Sequence, residues 1–413
     1  MKNVNKFITV LLLLTSVSLF GQSSIYSRYG LGIASNGVSA RTTALGGSTT
    51  ALSETDHLGT SNPAGWSTLK LVRFEGGLSL TQMQQTDDNG SRNVFTTRFQ
   101  GVRFGIPIQH DYGIVLAFFL EPLTFVDYSV QKNYTDADFG NYDLKYSGEG
   151  GLSKFGFGLT YRLHVGVSLG ATFDYYTGST NYKSEVIFNE FSGYKNSTLT
   201  KKFDQHGIGF TVGAISNNFA RIIKSDAITD LRFGATYRYI PKVAIDTFLV
   251  VKSSIEEITT AHDVVDSKIP YDLSFGIKLV LHKSTTLLSD FEFSPWSKFR
   301  MADILGTHFT DRTRFTLGLE YKDMRKKTKT FWERLSYRAG FSYKKMKYLV
   351  YNNQINEYAA SVGLGVPINF NDILDLSLRF GQRGTADFGL VTEKFVSFGI
   401  SLSFGEKWFF RRR

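Results

Sequence analysis

VGVSLGATFDYY, residues 165–176, alternates without a break: Val165, Val167, Leu169, Ala171, Phe173 and Tyr175 fall on one face. Gly166, Ser168, Gly170, Thr172 and Asp174 fall on the other. A period of two is that of a β-strand with one apolar face and one small or polar face. The pattern returns in LRFGATYRYI (231–240), where Leu231, Phe233, Ala235, Tyr237 and Tyr239 oppose Arg232, Gly234, Thr236 and Arg238. It returns again in YDLSFGIKLVL (271–281), FTLGLEY (315–321), LSYRAGFSY (335–343), LDLSLRF (374–380) and FVSFGISLSF (395–404).

A soluble sandwich also has period two, but its polar face meets water and is crowded with Lys, Glu and Thr. Here that face is largely Gly, Ser and Thr with scattered charges, which suits a crowded interior, while the apolar face is rich in aromatics. Aromatics make up 15% of the chain, with 36 Phe and 21 Tyr beside 39 Gly, 7 Pro and no Cys. Segments near ten residues match a tilted membrane strand, and the longest apolar run of the mature chain, IVLAFFL (114–120), is far too short for a membrane helix. Strands in hydrocarbon must close on themselves, because an open edge cannot be satisfied there. The fold class predicted is therefore all-β, a transmembrane antiparallel β-barrel.

Fifteen segments between 71 and 404 read as strands. Single-chain bacterial barrels prefer even numbers, and 246–260 is the weakest segment because its SSIEEITTAHD end is polar and suits an external loop. Fourteen strands are expected. In VFTTRFQGVRFGIPI (94–108) the apolar phase slips between Phe99 and Val102, across Gly101, which predicts a bulge or kink.

MKNVNK followed by FITVLLLLTSVSLFG has the basic start, short apolar core and small-residue end of a secretory signal, with cleavage expected after Gly21. Without cysteine there is neither a lipid-anchoring residue nor a disulfide framework. The formal charge is +10, of which Lys2 and Lys6 supply two. In an exported chain this balance points to anionic lipid head groups and away from nucleic acid.

Residues 22–69 do not alternate, yet they hold Ile25, Tyr26, Tyr29, Leu31, Ile33, Leu45, Leu52, Leu58 and Trp66 with few charges. That composition argues against a disordered tail and for a plug folded into the lumen. The domains expected are thus a signal peptide (1–21), a plug (22–69), a barrel (70–404) and a basic tail (405–413), GEKWFFRRR, at the periplasmic surface.

The stretch YGLGIASNGVSARTTALGGSTTALSETDHLGTSNPAGW (29–66), with its Asn62-Pro63-Ala64 turn, resembles the N-terminal hatch of the FadL-type outer-membrane transporters of long-chain fatty acids and other hydrophobic compounds. IPYDLSFGIKLVLHKSTTLLSDFEFSPWSKF (269–299) resembles that family's late hairpin through Pro270, Leu273, Gly276, Asp290, Trp296 and Ser297. FTLGLEY and LSYRAGFSY resemble the next strand pair through Gly318, Tyr321, Arg338, Gly340 and Tyr343; residues 110–265 resemble the family in pattern only. The resemblance implies an outer-membrane barrel of fourteen strands in which a fatty acid-like ligand is caught on the extracellular side, passes to an inner site and leaves through a sideways opening in the wall when the hatch shifts; a monomer is expected. It makes Asn62, Pro63 and Ala64 the gate, and Phe99, Gly101 and Val102 the candidate kink beside the exit. Inward-phased Arg162, Arg232, Arg238, Lys278, Arg338 and Arg379 are the candidates for holding a carboxylate, unless they pair with Asp174, Asp272, Asp290, Glu292, Glu320 and Asp375 across the lumen. Some relatives of that family serve a protein-secretion machine as accessory barrels, so a secretion-machine partner is the alternative.

Other chemistry finds no footing. The seven histidines show no HxxxH or His-Cys spacing, and GEGGLSKFGFG (148–158) lacks the GK[ST] of a phosphate loop. No local signature joins Ser, His and a carboxylate into a hydrolase site. No metal, cofactor or enzymatic activity is expected.

Overall fold

The computed structural model describes residues 24–35, 39–59, 61–188, 194–223, 225–253, 256–299, 308–323 and 330–408; the expected signal peptide and the end of the basic tail lie outside them. Fourteen strands form the wall: β1 (Val72–Asp87), β2 (Gly90–Gln109), β3 (Ile114–Pro122, resuming as Thr124–Asp136), β4 (Gly140–Arg162), β5 (Ser168–Phe188), β6 (Ser197–Ile215) and β7 (Ile228–Ser253). The remainder are β8 (Glu257–Leu281), β9 (Thr285–Ser294), β10 (Arg312–Lys322), β11 (Ser336–Val350), β12 (Asn353–Pro367), β13 (Ile373–Arg383) and β14 (Thr392–Glu406). Each strand pairs antiparallel with the next. The sheet closes where β14 pairs β1, from Thr392 opposite Thr86 to Glu406 opposite Val72. The count of fourteen stands. The weak segment 246–260 is no strand of its own: it is the end of β7 and the start of β8, meeting at a hairpin tip.

Burial is inverted relative to a soluble protein. Phe173 is 49% exposed while the adjacent Asp174 is fully buried. The same inversion sets Phe315 against Thr316, Leu319 against Glu320, Tyr337 against Arg338 and Leu378 against Arg379. Exposed aromatic and aliphatic groups around a closed wall belong in hydrocarbon, and the alternating phase read from the sequence is what aims them there. No helix among the described residues is long and apolar enough to cross a membrane.

Inside the wall runs the N-terminal segment. It contains a 3-10 turn (Ile25–Arg28), a two-residue strand (Ile33–Ala34), a short helix (Ala40–Ala44) and a second 3-10 turn (Pro63–Thr68). The small face of the strands is small because this segment lies against it. A Cβ on Gly213 would stand 2.0 Å from Asn62 Oδ1, one on Gly234 2.2 Å from the Thr50 carbonyl oxygen, and one on Gly340 2.2 Å from the Gly46 nitrogen. A Cβ on Gly170 or Gly363 would stand 2.5 Å from the Ala64 nitrogen or the Ala44 Cβ. These contacts come from strands all round the cylinder, so the segment is encircled.

Strand lengths are unequal. β4, β5, β6, β7 and β8 run 23, 21, 19, 26 and 25 residues, whereas β9, β10 and β13 run 10, 11 and 11. Since about 9–11 residues cross a bilayer, the first group carries roughly ten residues beyond it. Val72 and Glu406 pair at one rim, called here the near rim, and the extra length stands at the far rim.

The phase slip at Phe99–Val102 is a β-bulge. Pairing steps from Gly77 opposite Gly101 to Leu78 opposite Phe99, leaving Gln100 without a counterpart, and Gly101 takes a φ of 116°. Across from it β3 is interrupted at Leu123, between Pro122 and Thr124. Pairing of β2 with β3 ends at Val102 opposite Leu120. Beyond that point Thr124–Asp136 pairs with β4 on one edge and, on the other, with the two-residue strand of the N-terminal segment, Ile33 opposite Phe125 and Ala34 opposite Thr124. The wall therefore has a seam between β2 and β3.

Candidate functional site in the lumen

Arg41, from the short helix, donates to Glu320 of β10 at 2.8 Å. Glu320 also accepts from Arg338 of β11 at 2.7 Å, and Arg338 reaches Asp375 of β13 at 2.5 Å. Asp375 lies 2.9 Å from His57 Nε2, His57 Nδ1 lies 2.9 Å from Asp56, and Asp56 accepts from Lys322 of β10 at 3.0 Å. The chain of contacts alternates in sign and crosses three times between the inner segment and the wall. Burial and the nearby Arg41 charge both push the His57 pKa down, but Asp375 and Asp56 outweigh them and raise it to about 9. Burial alone would raise the Asp56 carboxyl; His57, Lys322 and Arg41 hold it well below the usual range.

Uncharged contacts add to the attachment. Asn62 caps the Pro63–Thr68 turn, accepting from the Ala64 N–H at 3.0 Å. Its amide donates to the carbonyls of Thr50 (2.8 Å), Ala214 (3.0 Å) and Ala235 (3.3 Å). Pro63 sits at the first helical position, where its missing N–H costs nothing. Asp290 accepts from the backbone N–H groups of Thr49 and Thr50 at 2.7 and 2.8 Å. Glu75 does the same for Leu58 and Gly59, at 2.6 and 2.9 Å. At the far end Ser24 donates to Glu393, and Tyr26 donates to the Val391 carbonyl at 2.5 Å.

The six candidate carboxylate-binding cations all have protein partners. Arg162 lies beside the near-rim turn, donating to the His110 carbonyl at 2.8 Å. Arg232 pairs with Asp230. Arg238 pairs with Asp272, and Arg312 joins the same carboxylate at 2.9 Å. Lys278 reaches the Ser53 carbonyl, Glu54 and Asp230. Arg338 joins Glu320 to Asp375, and Arg379 pairs with Glu357 at 2.8 Å. Of the six carboxylates named as alternative partners, Asp272, Glu320 and Asp375 lie in ion pairs with these cations. Sequence reasoning passed over Arg41, His57 and Glu75; Arg41 and His57 were the visible signal, charged or titratable groups set in a small-residue segment.

A cavity of about 200 Å³ lies between the segment and the wall. Arg103, Glu121, Arg238, Asp272, Glu292 and Arg314 line it, so both signs of charge face inward. The apolar side chains of the lumen are packed against one another instead. Leu31, Leu152, Tyr176, Phe203, Ile240, Trp296 and Phe299 form one buried cluster, with Phe309 against it. No group of side chains among the described residues could hold a metal ion.

The family model described as BamG matches residues 3–413. The chain belongs to the BamG family. No curated protein matches it. Among solved structures, this BamG-family chain is similar to a Pseudomonas aeruginosa FadL homologue, with a TM-score of 0.61 at 13% identity over 91% of this chain and 99% of the other. It is similar to the Ralstonia pickettii toluene transporter TbuX, with a TM-score of 0.59 at 16% identity over 90% and 98%. The P. putida toluene transporter TodX gives 0.58 at 15% identity over 91% and 100%. At such identities the likeness is one of fold, that of an outer-membrane barrel. The FadL-type resemblance thus holds for architecture, while the family itself is BamG.

Proposed function

We propose that this chain is a closed, accessory barrel of an outer-membrane protein-assembly or protein-secretion machine. One observation carries the reading: the inner segment is fastened to the wall by the Arg41–Glu320–Arg338–Asp375–His57–Asp56–Lys322 chain, and the cavity beside it is charged. A hydrocarbon gains about 0.8 kcal/mol per methylene only when it leaves water for apolar surroundings, and a lining of paired ions offers no such gain. A plug held in this way suits a barrel that acts through its surfaces. The test is extraction from native outer membranes in mild detergent, with cross-linking and mass spectrometry, beside depletion of the protein. Stoichiometric assembly or secretion proteins, a fall in other folded barrels on depletion and unchanged uptake of labelled fatty acid are expected. A solitary barrel whose loss abolishes that uptake overturns the reading.

A second reading rests on the seam. Uptake of long-chain fatty acids or other hydrophobic compounds with sideways exit would use the break between β2 and β3, flanked by Phe99, Gly101 and Val102. It requires the turn at Asn62, Pro63 and Ala64 to move as a gate. Uptake lost in an Asn62→Ala, Pro63→Ala double variant, with the barrel still folded, favours this reading.

A further inference from the structure

A barrel normally leaves no strand edge, yet the seam leaves one. The residues of Thr124–Asp136 whose backbone groups face it follow from two contacts. Asp127 donates its N–H to Ser27 Oγ at 3.0 Å, and the Ser129 carbonyl accepts from Arg92 of β2 at 3.0 Å. Backbone groups in an antiparallel strand alternate sides, so those of Gln131, Asn133 and Thr135 face the seam as well. Their even-numbered neighbours serve the β4 ladder. Opposite them, Gly90–Phe99 of β2 pairs with β1 alone. The lower part of the edge already carries an added strand, Ile33–Ala34, and Ser35 extends it by donating to the Leu123 carbonyl at 2.9 Å. Above Ser129 the side chains from Lys132 to Asp136 are exposed and, Tyr134 apart, polar.

We propose that the edge from Gln131 to Thr135 is a strand-addition site for an extended segment of a partner protein at the far rim. The occupant is backbone in extended form, because the edge presents alternating N–H and C=O groups in register with a strand of this chain already seated on it. The inference rests on the accessory reading and names the surface through which such a barrel would hold its partner.

The probe is a nine-residue peptide alternating Thr and Val, with lysine ends and a fluorophore, titrated into the full-length protein in lipid nanodiscs. Asn133→Pro removes the seam-facing N–H, while Asn133→Ala keeps it. Wild type and Asn133→Ala are expected to bind alike, and Asn133→Pro at least tenfold more weakly. Hydrogen exchange should slow at Gln131, Asn133 and Thr135 on binding, a readout that decides the matter even if the proline variant does not fold. No binding at millimolar peptide, protection elsewhere, or equal binding by the Pro and Ala variants overturns the proposal. So does concentration-dependent self-association that Asn133→Pro alone abolishes, which would make a second copy the occupant. Peptide binding needs no machine, so its failure is distinct from a failure to co-purify partners.

Discussion

His57 Nε2 lies 2.9 Å from Asp375 Oδ2, joining the inner segment to β13 at a site where both side chains are buried. With Asp56 on the other ring nitrogen, both nitrogens must donate, so the ring is the charged imidazolium.

That protonation sets a pH dependence. The folded pKa of about 9 stands above the ordinary value near 6.5, so the stabilisation is fully present below pH ~6.5 and is lost as pH rises through about 9. The melting temperature of the purified barrel should fall between pH 6.5 and pH 10, and fall less in His57→Gln. At neutral pH His57→Ala should cost about 3 kcal/mol, the order found when one partner of a buried pair is removed. Equal pH profiles for wild type and variant would refute the assignment.

Asn62 should behave as an anchor. Asn62→Asp keeps the capping acceptor but removes the donors to Thr50, Ala214 and Ala235. A loss of about 1–3 kcal/mol is expected for leaving such groups unsatisfied. Hydrogen exchange at residues 62–69 should rise while the barrel strands stay protected.

Gly340 tests whether the segment must lie inside. Gly340→Ala puts a methyl group 2.2 Å from the Gly46 nitrogen, between two backbones that cannot step aside cheaply. Overpacking of this kind costs about 1–3 kcal/mol. Limited trypsin digestion should cut at Arg41 in the variant and spare it in wild type, while the folded barrel keeps its heat-modifiable gel mobility.

The outward face should reject charge. Phe173→Lys places an ammonium where a 49%-exposed ring now faces outward, at a cost of about 2–4 kcal/mol near mid-membrane. Urea unfolding in liposomes reads this directly. A substitution at exposed Ser91, near the β1–β2 tip, should leave stability within about 0.5 kcal/mol.

The barrel was legible because period two records on which side of the wall each residue lies, as Phe173 and Asp174 illustrate. Glycines such as Gly213 and Gly340 were visible as a pattern, but their cause was not, since it is close approach to residues far off in the chain. The same distance in sequence hid the His57–Asp375 and Arg41–Glu320 contacts, which join residues 318 and 279 positions apart. Composition suggested a filled lumen but could not say which cations were already paired. The slip at Phe99–Val102 was readable as a bulge; the break at Leu123 gave no slip in phase, only Pro122 just before it.

The long strands β4 to β8 and the short ones opposite have a consequence for neighbourhood. At about 3.3 Å per residue and a tilt near 45°, ten extra residues raise one flank by roughly 20–25 Å above the other. The molecule stands in its membrane like a turret with a parapet on a single side. Whatever rests on the parapet meets it at a fixed compass bearing.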